Sequence, residues 1–238
     1  MTESTPAYFD TRAASWSGQY NADPRFVRRQ SRIMALLNKH VFSKRSIGNA
    51  LDFGCGSGVF SRALVRDGWR VTGVDVSQGM IDAARAGSIG ATPDHLSYIN
   101  GSIQDVEGQY DLIVSLSVIE YIQDDTVVLK KLVDSLASDG MLMVSVPNKV
   151  GMLRRLEKLV FGIRNVSGNR LFAGTGDYLK YQRHQYSASE LDRRLGDLGM
   201  KKVEGIYLNA GLAASESAMA LLEQGWWAAM YCALYEKA

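Results

Sequence analysis

Cysteine and histidine are scarce in this chain, and the scarcity of cysteine excludes a fold built on disulfides. The 238 residues include two cysteines and three histidines. Cys55 and Cys232 are far apart, whereas small secreted proteins use several closely spaced pairs as a covalent framework. We therefore expect reduced thiols and a cytoplasmic location.

Long apolar runs and a strong excess of charge are also missing. No stretch approaches the ~20 apolar residues that a bilayer crossing needs, and residues 1–10 lack the basic-then-apolar pattern of a secretory signal. The net charge is only +2, and the basic residues are scattered among acidic ones. Because a nucleic-acid partner requires a dense Lys/Arg face, we expect a soluble protein without such a partner.

What is present is a regular alternation of apolar strands and amphipathic helices. Such units build parallel sheets with helices on both faces. We predict an α/β fold with a doubly wound, mostly parallel seven-stranded sheet and an antiparallel last strand. The predicted strands are 49–53, 70–76, 96–100, 110–116, 140–146, 202–208 and 228–235. The predicted helices are 24–41, 58–66, 78–86, 125–137, 149–164 and 188–198.

The alternation is interrupted once, which divides the chain into four segments. Residues 1–45 are predicted to form an N-terminal helical lid, and residues 46–147 a ligand-binding core. Residues 148–187 combine a basic apolar stretch, a glycine-rich turn and a Tyr/His cluster, so we interpret them as a cap insertion over the carboxyl edge of the sheet. Residues 188–238 add a helix and a strand pair that complete the same domain.

A glycine-rich loop joins the first strand to its helix. It reads Leu51-Asp52-Phe53-Gly54-Cys55-Gly56-Ser57-Gly58, and backbone without side chains lets a ligand approach closely. The spacing is Gly-x-Gly-x-Gly, and position 59 is Val, so the Gly-x-Gly-x-x-Gly pattern that seats a pyrophosphate is absent. We predict a nucleotide-like ligand other than NAD or FAD. The alternative is an ordinary tight turn.

The end of the second strand supplies a carboxylate close to this loop. Asp75, followed by Val76, would accept hydrogen bonds from both hydroxyls of a ribose, or else cap the next helix. Ser102 would meet the adenine amino group while Met80 and Ile103 sandwich the ring. Ser102 and Met80 are equally well explained as a loop hydroxyl and a core side chain.

Three motifs in combination resemble the class I S-adenosylmethionine-dependent methyltransferases, whose fold is Rossmann-like. The motifs are residues 51–58, 73–77 and 110–122, and the match spans 49–147. The resemblance implies S-adenosylmethionine as cofactor and S-adenosylhomocysteine as product. It assigns Asp75 to the ribose, Leu116 to a backbone contact, and Asp52 to support of the loop and the amino group. The residues that it assigns to the methionine end are Gly54, Cys55, Gly56 and Gly58.

Beyond the fourth strand the chain is loosely similar to ubiquinone-biosynthesis-type O-methyltransferases. Those enzymes also carry an insertion after a fifth strand ending in Asn, followed by a His-containing turn, as Asn148 and His184 do here. They have a Glu-x-x-Glu-His segment after the fourth strand, where this chain reads Ser117-Val118-Ile119-Glu120-Tyr121. Because one carboxylate without an adjacent imidazole is a poor ligand set for a hard cation, we expect no metal.

Methyl transfer is an in-line displacement from a sulfonium, so the protein mainly aligns the acceptor and excludes water. A hydroxyl acceptor also benefits from a base. Of the three histidines, only His184 falls in the segment expected to cover the carboxyl edge, so we predict His184 as the base with Tyr186 beside it. The alternative is a hydrogen-bonding loop histidine. Tyr178 and Tyr181 would line an aromatic acceptor pocket or pack the cap.

The N-terminal segment and two helices carry further candidates. Tyr20 and Trp16 belong to an aromatic segment with a weak helical pattern, as a lid would have. Arg29 would pair with the cofactor carboxylate, unless it lies on a solvated helix face. Residues 150–164 predict an amphipathic basic helix that would rest on anionic lipid, or pack as a cap helix with its charges in water.

We therefore predict a methyltransferase that acts on a hydroxyl of a small-molecule metabolite, such as a quinone, a polyketide or a sugar-linked compound. N-methylation is the alternative among methyltransferases. From other classes, a nucleotide-dependent oxidoreductase and a non-catalytic nucleotide-binding module stay open.

Overall fold

In the part of the chain that the structure describes, helices and strands alternate around one sheet. The computed structural model describes residues 5–13, 16, 18, 23–44, 47–90, 94–167, 177–208 and 223–238. The strands are β1 (Asn49–Phe53), β2 (Arg70–Asp75), β3 (Leu96–Asn100), β4 (Tyr110–Leu116), β5 (Leu136–Pro147), β6 (Met200–Leu208) and β7 (Met230–Lys237). The α-helices are α1 (Thr5–Asp10), α2 (Pro24–Leu37), α3 (Val59–Arg66), α4 (Gln78–Ala86), α5 (Asp125–Asp134), α6 (Met152–Ser167) and α7 (Ala188–Gly196). A π-helical turn follows α2, and the 3₁₀ turns are Ile103–Asp105, Ile119–Tyr121 and Asp177–Lys180.

The sheet has the order β3-β2-β1-β4-β5-β7-β6. Strands β1 to β5 pair in parallel, and β7 is antiparallel to both of its neighbours, β5 and β6. The predicted fold class, including the antiparallel last strand, is confirmed. The strand order reverses between β1 and β4, and in open α/β sheets such a reversal leaves a ligand-binding crevice at the carboxyl ends of the strands.

Two hydrophobic clusters cover the two faces of the sheet, because successive residues of a strand point to opposite sides. In β1, Leu51 belongs to one cluster and Ala50 to the other. Helices α5 and α7 contribute to the first cluster, and α2 and α3 to the second. With both faces covered by helices, the carboxyl edge is the place where loops can form a site.

The predicted boundary between α5 and β5 is wrong. Helix α5 ends at Asp134 rather than Ala137, and β5 begins at Leu136 rather than Gly140. Tyr110 of β4 donates its N–H to the Ser135 carbonyl at 2.9 Å and pairs with Leu136 before a register shift. This long-range pairing brings residues 136–139 into the sheet, and the helical periodicity of the segment does not reveal it.

The predicted start of α6 is also wrong, since the helix begins at Met152 rather than Lys149. The Asn148 amide Nδ2 donates to the carbonyls of Gly225 at 2.6 Å and Ala228 at 3.0 Å, and Gly151 N–H donates to the Asn148 carbonyl at 3.1 Å. Residues 148–151 therefore form a turn tied to the chain that precedes β7. The same contact holds Ala228 outside β7, which begins at Met230 instead.

The N-terminal part of the chain is helical in two places. Residues 5–10 form α1, and the helix predicted over 24–41 ends at Leu37 and continues as the π-helical turn Asn38–Phe42. Within the described residues, no helix combines the length and apolar character that a membrane span requires. The division of the chain into lid, core, cap and completing segment stays a prediction.

Candidate active site

The glycine loop between β1 and α3 adopts a backbone that other residues rarely take. Gly54, Gly56 and Gly58 have φ angles of 72°, 53° and 72°, in the left-handed region that favours glycine. The N–H groups of Gly54 and Cys55 both donate to the Val74 carbonyl, at 2.7 and 3.0 Å, so the loop curls over the end of β2. A Cβ on Gly54 would overlap the Val118 side chain. The loop therefore depends on glycine for both its conformation and its packing.

Asp75, the last residue of β2, holds this loop in place. Its Oδ2 accepts the Gly56 N–H at 2.9 Å and its Oδ1 accepts the Ser77 N–H at 2.9 Å. The cap of α4 is Ser77, whose side chain accepts from Met80 N–H, so Asp75 itself is not the helix cap. Burial raises the pKa of Asp75, and the two N–H donors oppose that shift. A carboxylate offers about four acceptor positions, so both oxygens can still accept from a ligand.

Asp52 lies beneath the same loop. It is buried and accepts a 2.6 Å hydrogen bond from the Ser61 hydroxyl on α3. Burial raises the pKa of Asp52 to about 6, the Ser61 hydrogen bond opposes the shift, and the charge of Asp75 adds to it. Asp52 thus fastens the end of β1 to the helix that follows the loop. Its contact with a cofactor amino group stays a prediction.

The residues expected around an adenine ring lie in the segments that directly follow two neighbouring strands, β2 and β3. Met80 and Ile103 are buried, and the Met80 sulfur lies beside Gly56. Val76 is exposed immediately after Asp75. The Ser102 hydroxyl accepts from Gln104 N–H at 3.2 Å and donates to Asp105 at 3.0 Å, as a helix cap does. The adenine contacts stay a prediction, and for Ser102 the capping role is what the structure shows.

Arg29 joins the ends of the two central strands instead of lying on a solvated helix face. It is buried, and its Nη2 donates to the hydroxyls of Ser117 at 3.0 Å and Ser145 at 3.1 Å. Ser117 has a φ angle of 61°, unusual for a residue other than glycine. It directly follows Leu116, the last residue of β4. Arg29 therefore lies at the carboxyl edge, and its pairing with a cofactor carboxylate stays a prediction.

Helix α1 packs against the carboxyl edge beside Asp75. Asp10 accepts hydrogen bonds from the Ser77 hydroxyl at 2.6 Å and the Gly79 N–H at 3.0 Å, and these bonds lower its pKa. The Phe9 ring meets Tyr121 edge to face at 5.4 Å and Trp16 at 6.0 Å. Tyr20 lies outside the described residues. Helix α1 thus spans from the β2 end to the 3₁₀ turn after β4, and its role as a lid stays a prediction.

The predicted catalytic pair lies at the far side of this 3₁₀ turn. The backbone N–H of His184 donates to the Glu120 carbonyl at 3.2 Å. Its Nε2 is 3.1 Å from the Gln123 carbonyl, and its Nδ1 is 3.8 Å from Asp125. The Tyr186 hydroxyl accepts from Arg194 at 2.9 Å. These side chains contact α5 and α7, so the structure brings them together with each other rather than with the glycine loop.

Glu120 and Arg154 are the residues whose positions sequence reasoning did not anticipate. From its sequence context Glu120 is a candidate only for a metal ligand, yet it is 1% exposed at the carboxyl edge. The basic helix pattern predicts Arg154 among charges in water or at a lipid surface, but it is buried and donates to Glu157 at 2.7 Å and to the Tyr178 hydroxyl. The sequence feature that identifies Glu120 as a site residue is its position just after β4, three residues past Ser117, since strands of this sheet end at the site. For Arg154, periodicity alone cannot tell which face of α6 is inward.

No cluster of three or more His, Cys, Asp or Glu side chains able to hold a metal occurs among the residues for which the structure gives positions. The positive charges of Arg29 and Arg154 lower the pKa of Glu120. Charges that act on the carboxylate in this way would also oppose a divalent cation bound to it. The donor set therefore does not fit a metal at this position.

Comparison with known sequences relates the chain to methyl-transferring enzymes. A family model described as a methyltransferase domain matches residues 26–204. The ubiquinone biosynthesis O-methyltransferase of Coxiella burnetii (strain RSA 493 / Nine Mile phase I) is 30% identical over 167 residues, which cover 67% of this chain and 67% of that enzyme. The enzyme of the same name from Chelativorans sp. (strain BNC1) is 28% identical over 152 residues, covering 63% of this chain and 57% of that enzyme. The chain thus spans little more than half the length of the Chelativorans relative.

Solved structures share the whole fold. Magnesium protoporphyrin IX methyltransferase from Synechocystis PCC 6803, crystallised with S-adenosylhomocysteine, superposes with a TM-score of 0.68 at 17% identity, over 97% of this chain and 96% of that chain. The N-methyltransferase NodS from Bradyrhizobium japonicum WM9, also crystallised with S-adenosylhomocysteine, superposes with a TM-score of 0.63 at 19% identity, over 92% of this chain and 90% of that chain. At these identities the likeness shows the fold.

The sheet order, with the glycine loop and Asp75 at the β1–β4 switch point, is that of a class I S-adenosylmethionine-dependent methyltransferase. The chain belongs to the methyltransferase domain family, whose model matches three quarters of its length. The alternative of a nucleotide-dependent oxidoreductase is set aside.

The packing of the loop predicts a difference between two glycine substitutions. Gly54→Ala should lower the free energy of unfolding by about 2–4 kcal/mol, because it adds an overlap with Val118 to the strain of a left-handed alanine. Gly90→Ala is the matched control, since Gly90 has a φ angle of 94° but open space around its Cβ position. Urea unfolding of both variants measures the difference. Equal losses would contradict the close approach of Val118.

Proposed function

We propose that the chain transfers the methyl group of S-adenosylmethionine to a hydroxyl of a small-molecule metabolite. The observation that carries the proposal is the Asp75 carboxylate, which fixes the glycine loop and still offers acceptor positions at the β1–β4 crevice. The glycine backbone would receive the methionine end, and Asp75 the ribose hydroxyls. Met80, Val76 and Ile103 would surround the base.

The acceptor side supports a small molecule. Beyond β4 the Phe9 and Tyr121 rings meet edge to face, and the polar side chains of Glu120, Ser145 and Asn148 are buried nearby in the fold. Aromatic and polar groups of this kind suit a ring-bearing molecule with polar substituents. The relatives from Coxiella and Chelativorans are named O-methyltransferases of ubiquinone biosynthesis, which supports a hydroxyl acceptor. N-methylation is the second candidate, because a buried carboxylate such as Glu120 also suits an amine.

The outer face of α6 supports peripheral contact with a membrane. Leu156 and Leu159 are 55% and 60% exposed, and Met152, one turn earlier, is also exposed. Met152 N–H donates to the Trp226 carbonyl at 2.8 Å, so Trp226, which is also exposed, lies at the start of this stripe. Apolar and Trp side chains with basic neighbours are typical of helices that lie on anionic lipid. We propose that this face rests on such a surface.

Removal of the Asp75 carboxylate should weaken cofactor binding. Asp75→Ala is expected to raise the Kd for S-adenosylhomocysteine at least tenfold, ~1.4 kcal/mol, through loss of charge-assisted hydrogen bonds to the ribose. Asp82→Ala, on the exposed side of α4, is the control. Calorimetry gives the two constants, and circular dichroism verifies folding. An affinity equal to that of the native protein would refute the ribose assignment.

The exposed stripe of α6 predicts binding to anionic vesicles. Replacing Leu156 and Leu159 together by Glu should reduce cosedimentation with phosphatidylglycerol-containing vesicles at least about fivefold, since apolar area is lost and like charge is added. Val127→Glu on α5, where Val127 is also exposed, is the control. Native protein that sediments equally with neutral and anionic vesicles, or with neither, would overturn the assignment.

A further inference from the structure

Glu120 occupies the 3₁₀ turn that follows β4, at the boundary between the glycine loop and the cap. Two residues earlier, Val118 packs against Gly54. From the cap, the backbone N–H groups of Arg183 and His184 donate to the Glu120 carbonyl at 2.7 and 3.2 Å. The main chain of Glu120 is therefore fixed from both sides. Its side chain is buried at the carboxyl edge of the sheet, just past the end of β4.

The carboxylate of Glu120 is buried without a full set of hydrogen bonds. Among the described residues, no donor reaches its Oε2. A buried acceptor left unpaired destabilises the folded protein, and more strongly when it carries charge. Burial raises the pKa of Glu120 to about 7, and a hydrogen bond from its own backbone and the positive charges of Arg29 and Arg154 limit the rise. Near neutral pH the carboxyl group is therefore divided between its ionised and protonated forms, and its Oε2 is an unoccupied acceptor.

The neighbours of Glu120 are largely engaged with one another. Arg29 donates to the two serines at the strand ends, and Arg154 donates to Glu157 and Tyr178. The Tyr178 hydroxyl in turn donates to Glu157. Within the residues that the structure describes, other buried polar atoms without a partner include the acceptors Asn148 Oδ1 and Gln182 Oε1 and the donors Arg29 Nε and Arg154 Nε. A molecule that satisfies these atoms must bring both O–H or N–H groups and acceptor atoms, and Glu120 Oε2 is the carboxylate oxygen among them, which can take up a proton.

We propose that Glu120, rather than His184, binds the reacting O–H group of the methyl acceptor and takes its proton. This inference rests on the proposed function. The acceptor oxygen forms a bond to the methyl carbon while the C–S bond breaks, and the sulfur keeps the electron pair as the thioether of S-adenosylhomocysteine. The hydroxyl proton passes to Glu120 Oε2 and leaves to solvent after product release. Charge balances, because a sulfonium and a carboxylate become a thioether and a carboxylic acid.

The position of His184 is less suited to this role. Its side chain is one-third exposed, and its Nε2 faces a carbonyl oxygen, so that nitrogen carries the hydrogen. The other nitrogen faces Asp125, which also pairs with Arg194. Glu120 is shielded from water and has a free acceptor atom, which are the properties that a base in a displacement reaction needs.

The first experiment needs no knowledge of the acceptor. Sinefungin is a cofactor analogue with an amino group on carbon in place of the methylated sulfur, so its ammonium occupies the position from which the methyl departs. Glu120→Gln should weaken sinefungin binding at least about tenfold, the loss of one charge-assisted hydrogen bond. Affinity for S-adenosylhomocysteine should stay within about twofold. Glu107→Gln, at an exposed position, is the control.

The outcomes of this calorimetry separate the two claims. A selective loss of sinefungin affinity supports the role of Glu120. Equal loss of both ligands, or no loss of either, overturns it and leaves the cofactor assignment standing. Failure of the native protein to bind either ligand would instead overturn the proposed function.

Turnover then distinguishes the two bases. With a panel of catechols and phenols and radiolabelled cofactor, Glu120→Gln should lower kcat about 100-fold, and His184→Ala should leave it near the native value. The native rate should rise with pH through about 7 as Glu120 ionises, and this dependence should persist in His184→Ala. The other groups that interact electrostatically with Glu120 are Arg29, Arg154 and Tyr121, and burial raises the pKa of Tyr121. A rate loss only in His184→Ala would reverse the assignment.

Discussion

Two hydrogen bonds from backbone N–H groups to the Asp75 carboxylate connect the glycine loop to the start of α4. The other hydrogen bonds from the loop to β2 are those that Gly54 and Cys55 donate to the Val74 carbonyl. Without the bonds to Asp75, little else would keep the three left-handed glycines in one conformation. The loop lies where the strand order reverses, and its position follows from the register of β1 between β2 and β4. The cofactor side of the site is therefore a consequence of sheet topology and one buried carboxylate.

The acceptor side is built differently, from charges that the fold buries. Arg29 of α2 and Arg154 of α6 are buried, and the positive charges of both lower the pKa of Glu120, which follows β4. Burying these groups costs stability unless each is paired. Most of them are, through Ser117, Ser145, Glu157 and Tyr178. In the described part of the chain, the Nε atoms of both arginines and Oε2 of Glu120 lack a partner, and of these only the carboxylate oxygen can accept a proton.

Much of the fold could be predicted from sequence because buried parallel strands and amphipathic helices have distinct periods. The bounds of β1, β3, β4 and α4 agree with the predictions. The start of β5 could not be predicted, since residues 136–139 join the sheet through pairing with Tyr110, a contact that no local pattern contains. The glycine loop and Asp75 were found because both follow strands directly. Glu120 and the inward face of α6 were missed because burial of a charged side chain depends on partners distant in sequence, such as Arg29.

The central claim is that the backbone of residues 54–58 and the Asp75 carboxylate together bind S-adenosylmethionine and its product. Titration calorimetry of S-adenosylhomocysteine into the native protein tests it most directly, with NAD as the comparison ligand. The account predicts saturable heat at one site per chain for S-adenosylhomocysteine and none for NAD. Folded protein that gives no heat with S-adenosylhomocysteine, or equal heat with NAD, would contradict it.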